Sequence, residues 1–270
     1  MLAPWAMLES KQAAHWIAPD GCRDLIWWQP PGQRPRWKLT ALADSAETVR
    51  APLGTQYRGW RLLPGTMIDE CHLLNRLTSC DEGRTDDAIA ALTDATHIDP
   101  HVHETLAILA RSLSVRAAVR TAGLGERTLE RLTRQATGRT PTYWLALARV
   151  RRAAQSLSER DYDLGVRRPG CGLGWDARRD SQAMARAIDK NRNAAARPRP
   201  RPDARDGIVD TFSGDGTLAE LAHAHGYADQ AHMTRAFRRW FGLSPARLRA
   251  SGDGMSAVRS SGYGDVTPLG

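Results

Sequence analysis

The stretch QAHMTRAFRRWF, Gln230 to Phe241, holds the side chains best suited to chemistry with a polar partner. Met233, Phe237, Trp240 and Phe241 recur at the spacing of one helical face and read as core. Gln230, Thr234, Arg235, Arg238 and Arg239 are left pointing elsewhere. An amide can bond adenine bidentately and a guanidinium can bond guanine O6 and N7, so a helix presenting both is suited to base edges in a major groove. A second row of the same kind lies upstream, on a helix expected from Glu126 to about Ala136. Its outward face presents Arg127, Glu130, Arg131 and Arg134, and Glu130 can accept from cytosine N4. Periodicity alone is met equally well by an ordinary amphipathic helix pair with a solvated basic face.

The elements that must position these groups are marked by end signals. Thr217 with Glu220 three residues on is a capping-box start, and Leu218, Leu221 and Ala222 then form one buried stripe. Gly226 supplies the sharp turn, Asp229 caps the next helix, and Gly242 with Pro245 stops it and starts another. Helix, short glycine turn and helix, with exposed amides and guanidinia on the second, match a helix-turn-helix. The residues GYADQAHMTRAFRRWFGLSP, Gly226 to Pro245, resemble the C-terminal signature of AraC/XylS-type transcription regulators, with nearly every position of the pattern filled.

A partial copy of this stretch lies between Ser114 and Pro141. Ser114 answers to Thr217, Val115 to Leu218, Ala118 to Leu221 and Gly123 to Gly226. After a turn one residue shorter, Leu129 answers to Met233, Arg131 to Arg235, Gly138 to Gly242 and Pro141 to Pro245. Such order is hard to obtain by chance. The regulators that the chain resembles carry two helix-turn-helix units in one domain. The resemblance implies base contacts from Arg127, Glu130 and Arg131 in the first unit and from Gln230, Thr234 and Arg235 in the second. Ala231 also faces the groove, offering apolar contact to a thymine methyl. Arg134 and Arg238, one turn further on, are expected on phosphates. Thr133 stands where the family usually has Phe, as at Phe237, which predicts looser packing of the first unit. Leu106 to Leu113 is expected to lead into that unit, with Gly125 capping its second helix. Thr142 to Ser158 should connect the units; Arg149, Arg151 and Arg152 on it either touch phosphates or form a solvated face.

The first hundred residues read differently. Short apolar runs at Leu25–Trp28, Trp37–Leu42 and Tyr57–Leu63 are punctuated by Pro and Gly, the pattern of a small β-sandwich or barrel. PDGCRDLIWW and YRGWRLLPGT resemble the N-terminal domain of a subgroup of the same regulators, implying a cupin-like sensing or dimerising module. Six tryptophans lie within the first sixty residues. They could line a barrel that holds an apolar or aromatic ligand, but ordinary core packing is the commoner use. Thr85 to Ala95 has helical spacing. His97, His101 and His103 invite a metal reading, yet Pro100 breaks their alignment and no fourth ligand has a suitable spacing, which favours a solvated hinge. Arg23 and Asp24 read as a surface pair beside a turn or, less readily, as a ligand clamp.

The expected fold is α+β: a β-rich, cupin-like domain at 1–104, then an all-α domain with two helix-turn-helix units. The first unit and connecting helix occupy 105–160 and the second unit 215–250. Residues 161–214 depart from the family. Their GCGLGW run lacks the Lys-Ser/Thr of a phosphate loop, a short helix is expected at Ser181 to Asn191, and the Arg-Pro tract RPRPRP cannot pack a core. The units either dock through their apolar faces with this segment looped out or are merely tethered. Residues 251–270 are expected as a disordered tail.

At 270 residues with a net charge of +8 and a pI near 9.8, the chain can hold two domains and favours a polyanionic partner. Cys22, Cys71, Cys80 and Cys171 are too scattered for a disulfide scaffold or a zinc site, so free thiols in the cytoplasm are expected. No run is long enough to span a membrane. The expectation is therefore a regulator that binds double-stranded DNA, takes a small-molecule effector at its N-terminal domain, meets RNA polymerase, and needs neither cofactor nor metal. The rivals are a cupin-type metalloenzyme or DNA-repair protein carrying a regulator-like domain, and a regulator uncoupled by the insertion that works through protein contacts.

Overall fold

The computed structural model describes residues 3–9, 14–78, 85–163 and 217–252, with Gly254 and Val258. The readings made for 164–216, the GCGLGW run, the short helix and the Arg-Pro tract, lie outside the described residues.

The first half is built on an antiparallel sheet in the order β1 (Ala3–Leu8), β6 (Gln56–Leu62), β3 (Arg23–Gln29), β4 (Arg36–Leu39). A separate ribbon pairs β2 (Ala14–Ile17) with β5 (Glu47–Arg50), and a short one pairs β7 (Met67–Ile68) with β8 (Thr96–His97). Alternation along the strands decides which face is buried. Leu25 and Trp27 of β3 and Trp60 and Leu62 of β6 point to one side, with Leu25 directly opposite Trp60. That side is covered by α1 (Glu70–Thr78) and α2 (Thr85–Ala95), which contribute Leu73, Leu77, Ala88, Ala91, Leu92 and Ala95 to the same cluster. Trp27 and Trp60 are thus packing residues, the ordinary use. On the other side Trp5 lies across Gly59, where an added Cβ would sit 2.1 Å from the indole, so the strand needs glycine there.

The second half is helical: α3 (Pro100–Arg111), α4 (Val115–Ala122), α5 (Glu126–Thr137), α6 (Pro141–Asp163), α7 (Leu218–Ala224), α8 (Gln230–Phe241) and α9 (Pro245–Ala250). Helix α6 is the axis. Trp144, Leu147, Ala148, Val150, Ala153, Ala154 and Leu157 are all buried, and Leu129, Leu221, Met233, Phe237 and Phe241 join them in one core. A helix packed against several neighbours needs a broad apolar face, which these buried positions supply.

Several expectations need correction. Pro100 does not break a helix but opens one: Asp99 caps α3 by accepting from the His101 amide, with Pro100 in the first turn, where its missing N–H costs nothing. The histidine stretch is therefore a strand end, a cap and a helix start, not a solvated hinge, and His103 is buried. Helix α1 was not anticipated, although Leu73 and Leu77 are one turn apart and Asp69 bonds the His72 amide as a cap. Arg23 and Asp24 do not pair. Arg23 reaches Glu70 at 2.8 Å, and Asp24 takes Arg61 at 3.2 Å and the Trp5 indole N–H at 3.2 Å. Nor is everything after 251 a loose tail, since Val258 is buried in the helical core. Most plainly, Arg151 is neither on a phosphate-facing nor on a solvated surface: it is 1% exposed.

Candidate nucleic-acid interface

Two helix pairs, α4–α5 and α7–α8, are built with the same end chemistry. Ser114 caps α4 by accepting from the Ala117 amide, and Thr217 with Glu220 forms a reciprocal capping box on α7. Both first helices turn at a glycine in the left-handed region, Gly123 at φ 64° and Gly226 at φ 72°. Both second helices end the same way, at Gly138 with φ 68° and Gly242 with φ 69°. Asp229 caps α8 through the His232 amide at 2.6 Å, whereas Gly125 leaves α5 without a side-chain cap. The glycine and proline correspondences read from the repeat are thus correspondences of backbone conformation. Pro141 and Pro245 each open the following helix.

The outward rows are where the periodicity puts them. Arg127, Arg131 and Arg134 of α5 are exposed and Glu130 is half-buried; Gln230, Ala231, Arg235 and Arg238 of α8 are exposed and Thr234 is half-buried. Glu130 and Arg134 form an i,i+4 ion pair. Among the described residues no ion pair engages Arg127, Arg131, Arg235 or Arg238. On α4, Arg116 and Arg120 are exposed as well, and Arg120 occupies the place of His223 on α7. The signal for it lies in the repeat itself, which sets Arg120 against His223.

The inward faces explain how the pairs stay together. Phe237 packs at 5.4 Å from Phe241, whereas its counterpart Thr133 is fully buried and returns its hydroxyl to the Leu129 carbonyl at 2.9 Å. Trp144 at the start of α6 donates from Nε1 to Thr137 Oγ1 at 3.0 Å, tying α5 to the axis. Arg149 bonds the Leu113 carbonyl at 2.6 Å and lies over the Tyr227 ring at 5.5 Å. Burial pushes the Tyr227 phenol up to about 12 against the opposing charges of Arg149 and Arg152. Both helix pairs therefore rest on one core through α6. Of the two arrangements open to the sequence, docking through apolar faces is the observed one.

Among the described residues the β-rich half touches this domain at several places. Arg151 donates to the Pro19 carbonyl at 3.2 Å and to the Val258 carbonyl at 3.4 Å. Beside it Asp20 bonds Arg61 at 3.0 Å. Burial raises the Asp20 carboxyl from its ordinary value more than Arg61 lowers it, and burial likewise holds the Cys22 thiol far above its own. Trp16 of β2 stands against Phe241 at 6.1 Å. The segment between β4 and β5 reaches Arg139, Tyr143 and Trp240. Gly21, Arg23, Leu42, Met67 and the last turn of α5 also border a cleft of 220 Å³. That is below the roughly 300 Å³ at which drug-sized ligands are usually held.

Among the described residues no three His, Cys, Asp or Glu side chains converge as metal ligands, and no helix is long and apolar enough to cross a membrane. Comparison with known proteins bears on the second helix pair. Residues 204–251 match the family model described as a helix-turn-helix domain. No curated protein matches the chain. Two crystal structures of ToxT from Vibrio cholerae align over 93% of this chain and 96% and 97% of theirs, each at 7% identity, with TM-scores of 0.38 and 0.37. At that similarity they add nothing to what the helix pairs themselves show. Toward its C-terminal end the chain therefore carries a helix-turn-helix domain, by the geometry of α7 and α8 and by the family model that residues 204–251 match.

Proposed function

We propose that the chain is a sequence-specific transcription regulator that reads two successive major grooves, with α5 in one and α8 in the next, and that its N-terminal module modulates this binding. The observation that carries the reading is the repetition: two helix pairs of matching backbone, each exposing arginines, mounted on one buried helix. Recognition helices of such a pair enter grooves about 34 Å apart, one turn of duplex. In this reading Arg127, Glu130 and Arg131 contact bases in the first groove and Gln230, Thr234 and Arg235 in the second, where Ala231 meets a thymine methyl. Arg134 leaves Glu130 for a phosphate, and Arg238 takes the equivalent phosphate. Arg116 and Arg120 add further phosphate contacts, because the first helix of such a unit crosses the backbone. A small-molecule effector at the N-terminal module and RNA polymerase are the further partners.

The test is selection of bound fragments from genomic DNA, followed by footprinting. Two protected grooves one turn apart are expected. Arg131→Ala should weaken binding and relax preference at one of them, and Arg235→Ala at the other, each by about 1–3 kcal/mol. Variants that leave both affinity and preference intact would overturn the reading.

A further inference from the structure

The segment Leu42 to Ala46 places four hydrogen bonds on both helix pairs at once. The Leu42 carbonyl and the Asp44 carboxylate accept from Arg139, in the turn leaving α5, at 3.1 and 2.8 Å. The Ala43 carbonyl accepts from the Tyr143 hydroxyl in the first turn of α6 at 2.9 Å. The Ala46 amide donates to the Trp240 carbonyl at 2.7 Å. Trp240 lies in the last turn of α8, where helix carbonyls have no partner within the helix and must find one outside. The three side chains also meet one another: Arg139 lies over the Tyr143 ring at 5.0 Å, and Tyr143 stands edge-on to Trp240 at 5.3 Å. Burial keeps the Tyr143 phenol protonated far above its ordinary range, so it remains a donor. Immediately after Ala46 comes β5, whose partner β2 carries Trp16 onto Phe241.

We propose that the Leu42–Ala46 segment is the latch through which the N-terminal module fixes the C-terminal ends of α5 and α8 relative to each other, and so sets the half-site spacing the protein accepts. The inference rests on the two-groove reading and adds the element that regulates it. A shift of the β2–β5 ribbon moves the segment, and its bonds to the turn after α5, the start of α6 and the end of α8 move together with it. Modulation then acts on the geometry between the two helices rather than on either set of base contacts.

Two measurements test it on the full chain. The first is amide hydrogen exchange without DNA, comparing wild type with Tyr143→Phe, Asp44→Ala and the control Arg76→Ala, which breaks an ion pair with Asp94 between α1 and α2. Exchange should quicken at least threefold in peptides covering both 137–144 and 238–243 in the first two variants and in neither peptide in the control. A change confined to 137–144 would make the segment a passive contact of the first unit and overturn the proposal. The second uses a duplex recovered by genomic selection, with one base pair inserted between its half-sites. Wild type should lose about tenfold in affinity and Tyr143→Phe less than threefold; equal losses would overturn the latch. Failure to recover any duplex would count against DNA reading itself, and the exchange experiment would still decide whether the latch exists.

Discussion

Replacing Arg151 by Met separates an interior role for this arginine from a DNA-contacting one. The guanidinium is 1% exposed on α6 and joins two distant segments, bonding the Pro19 carbonyl at 3.2 Å and the Val258 carbonyl at 3.4 Å. A hydrogen bond from a charged donor contributes about 1.5–3 kcal/mol. Both distances are long, so the lower value applies to each, and the two together give about 3 kcal/mol. Methionine fills much of the same volume, so little cavity cost is added. Removing a buried cation also recovers desolvation energy, but it takes a favourable charge away from the buried Asp20 carboxylate, and breaking one side of a buried charge network is the costly case. We expect Arg151→Met to lose about 3 kcal/mol of stability. Arg151→Lys should lose about half as much, since one ammonium cannot span two carbonyls as a planar fork does. Urea unfolding followed by tryptophan fluorescence measures both. If Arg151 instead touched a phosphate, Met would leave the unfolding midpoint unchanged and lower the dependence of DNA affinity on salt. A loss under about 1 kcal/mol, or a changed salt slope at unchanged stability, refutes the reasoning.

Gly59→Ala should destabilise by about 1–3 kcal/mol, the usual cost of overpacking, because its Cβ would lie 2.1 Å from the Trp5 indole and displace the ring from Asp24; thermal unfolding reads it. Asp20 titrates above its ordinary carboxylate value of 3.8 because it is buried. The folded state therefore holds that proton more tightly than the unfolded chain, and the group's contribution to stability falls as pH rises from about 3.8 through the raised value. In Asp20→Asn that decline should be missing from unfolding free energies measured on the alkaline side of 3.8. Arg238→Ala should weaken binding to all duplexes alike and reduce the slope of log affinity against log salt by about 0.9, the increment for one phosphate; a loss restricted to one sequence would assign it to a base instead.

The helix pairs were legible because their signals are local. Thr217, Glu220, Gly226, Asp229 and Gly242 act within a turn of where they stand, and each takes the cap or the positive φ its residue type implies. Strands β3, β4 and β6 were legible for the same reason, as short apolar runs punctuated by Pro and Gly, whereas β1, β2 and β5 carry no such signal and were not legible. What could not be read is what one half does to the other. Nothing near Ala43 says that its carbonyl will meet Tyr143, and nothing near Val258 says that it will enter a core shared by the helices and Ala18.

Arg151 is the instructive case, because its burial was in fact encoded. Trp144, Leu147, Ala148 and Ala154 define the stripe of α6, and Arg151 sits seven residues after Trp144 and three before Ala154, in the middle of that stripe. Its neighbours in RVRRAAQ drew attention to charge, and charge suggested solvent or phosphate. Periodicity is the stronger signal for a long side chain in a buried helix, since an apolar stem can lie in the stripe while the guanidinium finds carbonyls at its far end. The same rule assigns Arg131 and Arg235 to the opposite case. Each lies two residues after a buried position, Leu129 and Met233, and so about 200° around the helix from it, on the exposed face.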